Sequence, residues 1–420
     1  MQRLEIQNTM QKKNARSIRT KAATFTAIAL TLCLAGFGSA AQAATFTVTS
    51  TSDAGAGTLR EAITNAQTDD VIVFDGSLDG QTISLTSYTN CLSTSEPASA
   101  TCVPLATWPG TPPYVSQFGP SAFFISGKSI TIDATMNGAT PNGVTITRGG
   151  SEKFRFFDVD GAAGSGLTLR GLTLSGGIAQ GGSTFWGGGA LGAGGAIFNR
   201  GKLVIERSTL SGNQALGGHA YLGSQFPYHG GAGVGSDAMR GSPEGGGPNG
   251  GEIRADGTHL AAGLGGGGWG GNGGFGGGSG DAERGLGGFG GGDGSGSGIS
   301  FGGGDGMGGA LFNDGGTIVL TQVTLANNTA QGGGTYKGGS GFGGAVFNYN
   351  GSLILTLSTL AGNKVAAGLG QQVNGNALGG AIYSLGDSAS NCRAGGNVTC
   401  ITNGATLVMN GGIAYGRTTQ

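Results

Sequence analysis

The chain has 420 residues, of which 95 are glycine and only 11% are charged, and its formal net charge at pH 7 is -1. Such neutrality removes the electrostatic case for nucleic acid as a partner. Ten prolines without a three-residue glycine period exclude collagen.

Residues 1–43 read as an export signal. Lys12, Lys13, Arg16, Arg19 and Lys21 precede an apolar run from Ala22 to Phe37 that is too short to span a bilayer. The run closes on Ala41-Gln42-Ala43, the small-x-small pattern that signal peptidase accepts, so the mature chain is expected to begin at Ala44 and to leave the cytoplasm. Cys33 has no small residue directly before it and does not read as lipidated. The remaining cysteines form two sequence-local pairs, Cys91 with Cys102 and Cys392 with Cys400, expected as disulfides that staple short loops. His219, His229 and His259 lie far apart with no cysteine nearby, so neither a zinc site nor another cofactor is expected.

After Ala44 the chain reads as a strand, a turn and a short amphipathic helix. Thr58 and Glu61 have capping-box spacing, and Leu59, Ala62, Ile63 and Ala66 line one side. This helix is expected to cover the open end of the first rung of a solenoid, with Arg60 and Glu61 as capping residues. Strands follow at Val71 to Phe74, Thr82 to Leu85 and Ser129 to Ile132.

Internal repeats then set the architecture. GGAIFN at 194–199, GGALFN at 308–313 and GGAVFN at 343–348 are near copies, and GGAIYS at 379–384 is a weaker one. KLVIERSTLSGN, TIVLTQVTLANN and SLILTLSTLAGN follow the first three and align without a gap. Leu203, Ile318 and Leu353 share a column, Ile205, Leu320 and Leu355 another, and Leu210, Leu325 and Leu360 a third; Leu167, Leu169 and Leu174 repeat these offsets earlier. A spacing of two puts side chains on one strand face, so these columns predict stacked short strands. Repetition of such a unit predicts an all-β, right-handed parallel β-helix. Asn213, Asn328 and Asn363 align after the last strand and are expected to form a hydrogen-bonded structural ladder. The Gly-Gly pair is read as a rung corner.

Every insertion falls between that asparagine column and the next Gly-Gly-Ala. The divisions expected are the signal peptide at 1–43, the cap and first rungs at 44–214, a glycine-rich insertion loop at 215–305 and further rungs at 306–420. In a solenoid the insertions would form one fringe of loops, either a flexible linker or a binding surface. Trp186, Phe226, Tyr228, Trp269, Phe275, Phe289 and Phe301 are its expected contact residues.

For catalysis, the best paired carboxylates are Asp158 and Asp160, which share a strand face with Arg155 and Arg170 expected close by. They would suit a lyase or hydrolase acting on acidic polysaccharide. Solvated aspartates at a strand end read the same way in sequence, and the non-catalytic reading is favoured. Asp293 and Asp305 sit among glycines but miss the calcium-repeat spacing, so no metal is expected.

GGAIFN followed by STLSGNQA, and GGALFN followed by VTLANNTA, resemble the repeats of polymorphic outer membrane proteins and related β-helix adhesins. DAGAGTLREAI is similar to their N-terminal CSLREA segment, with Gly57 in place of its cysteine. The resemblance implies an adhesin-like protein, secreted or held at the outer membrane of a Gram-negative-type bacterium, with no catalysis. Its partner would be a host surface or glycan met through the loop fringe. Such proteins often carry a C-terminal barrel. After Asn410 only GGIAYGRTTQ remains here, without alternating barrel segments, so three expectations stand side by side: a fragment lacking its anchor or barrel, a released protein, or a partner subunit that covers the last rung.

Overall fold

The computed structural model describes residues 43–88, 90–92, 101–103, 118–135, 142–221, 231–232, 234–235, 237, 264–268, 271–280, 285–294, 301–386, 405–411 and 413–419. From Ala44 onward the described residues coil as a parallel β-helix, with one short α-helix among them.

Three faces enclose the main core. Face A stacks eight parallel strands in the order Thr45–Val48, Val71–Phe74, Ser129–Asp133, Gly166–Arg170, Lys202–Glu206, Thr317–Thr321, Ser352–Thr356 and Thr406–Asn410. Face B includes Thr82–Leu85, Val144–Arg148, Leu172–Ser175, Thr209–Ser211, Thr324–Ala326 and Thr359–Ala366. Face C includes Ser121–Ile125, Arg155–Val159, Ile197–Asn199, Leu311–Asp314, Val346–Tyr349 and Ile382–Leu385.

The register is the one the sequence columns predict. Leu167 pairs with Leu203, then Ile318, then Leu353, and Leu169 pairs with Ile205, Leu320 and Leu355. On face B, Leu174, Leu210, Leu325 and Leu360 align. All of these side chains are buried. Each stabilises the fold by about 1.5–3 kcal/mol relative to exposure, so the columns account for much of the driving force.

The N-terminal cap is as expected. Helix α1 (Leu59–Asn65) starts at Thr58, whose side chain accepts from the Glu61 N–H, while the Glu61 carboxylate accepts from Gly57. Leu59, Ala62, Ile63 and Ala66 join the same core as Val48, Ile72 and Phe74, closing the first rung. Arg60 fixes the cap from outside, donating to Asp53 and to the carbonyls of Ala122 and Ser87.

Each letter of GGAxFN has a separate physical task. The first glycine (Gly194, Gly308, Gly343, Gly379) takes φ between +61° and +67° at the corner. A Cβ on the second would strike the next rung's backbone, as Gly195 would meet the carbonyl of Gly309. The alanine is buried, and the fourth residue (Ile197, Leu311, Val346) points into the main core. The aromatic points the other way: Phe198, Phe312, Phe347 and Tyr383 stack on the outer side of face C, with successive centroids 4.9, 5.2 and 5.5 Å apart.

What covers that outer stack is the described part of the glycine-rich segment. Phe275 and Phe289 lie parallel at 5.5 Å and pack with Phe342, Leu191, Met307 and the Phe198 column into a second apolar core. The glycine strands around them follow a period of three. Gly188 and Leu191 donate to the carbonyls of Gly267 and Leu264, while Gly189 and Gly192 donate to Gly302 and Asp305. Likewise Gly302 and Asp305 donate to Ser279 and Gly276, Gly303 and Gly306 to Lys337 and Ser340, and Gly304 to Gly218. Three successive N–H groups thus address three different neighbours, and the fourth returns to the first. That is the signature of extended helices with three residues per turn, bundled by lateral hydrogen bonds. Only glycine permits the approach, since a Cβ on Gly302 would overlap the carbonyl of Gly292. Over the described residues, the expected loop or linker is therefore a packed, hydrogen-bonded layer.

Candidate functional site

The predicted carboxylates come together, but on an arginine that the sequence reading missed. Arg200 Nη2 lies 3.2 Å from Asp158 Oδ1 and Nη1 lies 2.9 Å from Asp160 Oδ1, and its guanidinium stacks 3.8 Å from the Phe118 ring centroid. Ser126 Oγ donates to Asp160 Oδ2 at 2.8 Å. Asp158 is 1% exposed and burial raises its pKa, opposed by the charges of Arg200 and Arg155; its Oδ2 has no hydrogen-bond partner. Arg155 is fully buried, donates to the carbonyls of Gly119, Ala193 and Gly194, and is pushed down to about 10 by burial. It stays charged at neutral pH. Arg170, expected nearby, instead joins Glu206 and Asp133 on the outside of face A. A register argument finds Arg200: Asn199 pairs with Val159, which puts the next residue beside Asp160.

The asparagine ladder is present and fully buried. Asn213 Nδ2 donates to Asn328 Oδ1 and Asn328 Nδ2 to Asn363 Oδ1, both at 3.0 Å. A second ladder runs through the asparagines of the GGAxFN repeats, from Asn199 to Asn313 at 2.7 Å, to Asn348 at 2.8 Å and on to Ser384 at 3.0 Å. Its signal, the repeated final asparagine, was legible in the sequence without its role.

Cys91 and Cys102 are direct Cα partners in an antiparallel ribbon of Asn90–Leu92 with Thr101–Val103. Cys392 and Cys400 lie outside the described residues. Among the aromatic residues expected to meet a partner, Phe275 and Phe289 pack against the second core and Phe301 is buried against Trp186, with ring centroids 5.4 Å apart. Phe226, Tyr228 and Trp269 lie outside the described residues. Asp305 is buried with Oδ1 accepting from the Ser340 N–H, and Asp293 accepts from Gly287. Among the described residues no three His, Cys, Asp or Glu side chains gather into a metal-binding group.

Outward display falls to a different set. The short strands Thr184–Phe185 and Ala220–Tyr221 pair with Phe185 opposite Tyr221, ring centroids 5.5 Å apart, and Tyr221 is 46% exposed. Beside them lies an open cavity of about 470 Å³ lined by His219, Tyr221, Tyr336 and Leu369, among others. It sits on the edge of the glycine layer, where Gly218 and Gly333 are held by backbone bonds through Gly304.

Together these features define the class: a parallel β-helix armoured on one flank by a hydrogen-bonded glycine layer. No family model matches the chain, and no curated protein matches it. No helix among the described residues is long and apolar enough to cross a membrane.

Proposed function

We propose that this protein is a secreted, non-catalytic β-helix scaffold, adhesin-like in the manner of the polymorphic outer membrane protein repeats it resembles, which displays its glycine-layered flank to a surface or glycan. The observation that carries this reading is the packed layer itself. A binding edge held by lateral backbone bonds and a second aromatic core is ordered before it meets a partner, which lowers the entropic cost of association. The carboxylate pair supports it from the other side. Asp158 is buried, and a polysaccharide would have to displace Arg200 to reach it.

Export through residues 1–43 and oxidation of Cys91 with Cys102 belong to the same reading, and the cross-strand pairing of these cysteines favours the bridge. Intact mass of the exported protein is expected to give an N-terminus at Ala44, and peptide mapping a Cys91–Cys102 link. A non-reducible protein retaining residues 1–43 would remove this part of the proposal.

The central test is adhesion. Protein from the full-length chain, coated on beads, is expected to adhere to cell surfaces or immobilised glycans while releasing neither reducing ends nor unsaturated products from acidic polysaccharides. Product release that disappears in Asp158→Asn would replace the scaffold reading with the enzymatic one.

A further inference from the structure

We infer that the cavity between Tyr221 and Tyr336 is a binding groove for uncharged oligosaccharides, made of pyranose rings free of carboxylate or sulfate groups. The inference deepens the surface-display reading and rests on it for biological meaning, although the chemistry of the groove stands by itself.

Shape comes first. The cavity holds about 470 Å³ and opens to solvent, a volume within the range of small-ligand sites. It spans neighbouring rungs, because Ala220–Tyr221 and Thr335–Lys337 project from successive turns of the coil and Gly370–Val373 from the next. A linear ligand lying along the stack would meet one ring-sized step per rung, at about 4.8 Å.

The lining is aromatic, aliphatic at Leu369 and polar at Gln371, without being ionic. His219 and Tyr221 stack with centroids 5.8 Å apart, which presents broad ring faces suited to the C–H side of a sugar ring. His219 Nδ1 lies 2.9 Å from the Gly334 N–H and 3.2 Å from the Gly334 carbonyl, so the Gly334 peptide holds the ring by that nitrogen. Gln372 Nε2 donates to Tyr336 Oη at 2.9 Å, fixing that hydroxyl at the rim, and the Gln371 and Gln372 amides are exposed beside it. Amides, a phenol and an imidazole nitrogen match the donors and acceptors of sugar hydroxyls. No carboxylate, ammonium or guanidinium is among the described residues lining the cavity, so nothing there offsets the desolvation of a charged sugar.

Rigidity completes the case. Single exposed aromatic residues are ordinary on a protein surface. Here the floor is the glycine layer, in which Gly333 donates to Gly304 and Gly304 to Gly218, so the rings stand on backbone tied on several sides.

The test titrates the full chain with cellotetraose, maltotetraose, chitotetraose and tetragalacturonate, following tyrosine and histidine resonances by NMR. At least one neutral oligosaccharide is expected to shift the Tyr221 and His219 signals, and tetragalacturonate is not. Tyr221→Ala and Tyr336→Ala should each weaken binding at least tenfold, whereas Tyr221→Phe, which keeps the ring, should bind nearly as the parent. Circular dichroism of the variants separates lost contacts from lost fold. The inference is overturned if no neutral oligosaccharide shifts these signals, if the folded double alanine variant binds like the parent, or if tetragalacturonate binds more tightly. Beads that still adhere when coated with the double variant would sink the groove alone. Oligosaccharide binding by a protein that adheres to no surface would sink the display reading alone.

Discussion

Asp305 is a carboxyl with little room for its charge. It is 0% exposed, one oxygen accepts from Ser340 at 2.6 Å, the other has no partner, and burial raises its pKa well above the ordinary aspartate value. Below the unfolded pKa both states are protonated and the group costs nothing. As pH rises past that value the unfolded chain ionises while the native site resists, so stability falls toward the raised folded pKa. Asp305→Asn should therefore raise the denaturant midpoint at pH 7.5, leave it nearly unchanged at pH 3, and flatten the slope by up to about one proton. A parent and variant with identical pH profiles would refute this. Asn328 is the opposite case, a neutral side chain with every group engaged: it accepts from the Asn213 backbone and side chain and donates to Leu210 and Asn363. At about 1 kcal/mol per bond, Asn328→Ala should cost about 3–4 kcal/mol in urea unfolding. The sequence made this ladder legible because a repeated polar residue after an apolar strand has few other uses. Arg200 is harder to read, since its partners lie 40 and 42 positions away and it emerges only once the rung register is used to join them.

At the level of elements, strands were readable and glycine segments were not, for one physical reason. A strand announces itself by alternation, so the Leu and Ile columns gave both face and register. In the glycine layer the repeating feature is the direction of backbone N–H groups, which leaves no trace in residue type. Composition alone then reads as a linker. The aromatic residues misled similarly: Phe275 and Phe289 looked like contact residues and instead pack the layer onto face C. Gly302→Ala, which sets a Cβ against the Gly292 carbonyl, should destabilise the layer by about 1–3 kcal/mol or more. Amide exchange is expected to accelerate at 271–280, 285–294 and 301–305 while the strands at 202–211 keep their protection. Uniform acceleration across both would mean that layer and coil unfold as one unit.

Across the whole molecule, each rung is buried by its two neighbours, so local stability should follow position in the stack. Leu407 and Met409 continue the two face A columns yet are 43% and 41% exposed, whereas Leu353 and Leu355 one rung earlier are 0% and 1%. Hydrogen exchange is expected to be fastest at 405–411, slowest in the rungs at 202–211 and 317–326, and slow again under α1. Equal protection at 405–411 and 317–326 would contradict the nearest-neighbour picture. The glycine layer also behaves as a clock with three hours. A residue gained or lost within one of its strands turns every later N–H by a third of a revolution, away from its acceptor and toward the wrong neighbour. Insertions and deletions of three leave the phase intact. Length variation tolerated in these segments should accordingly come in triplets, a reading frame written in hydrogen bonds rather than codons.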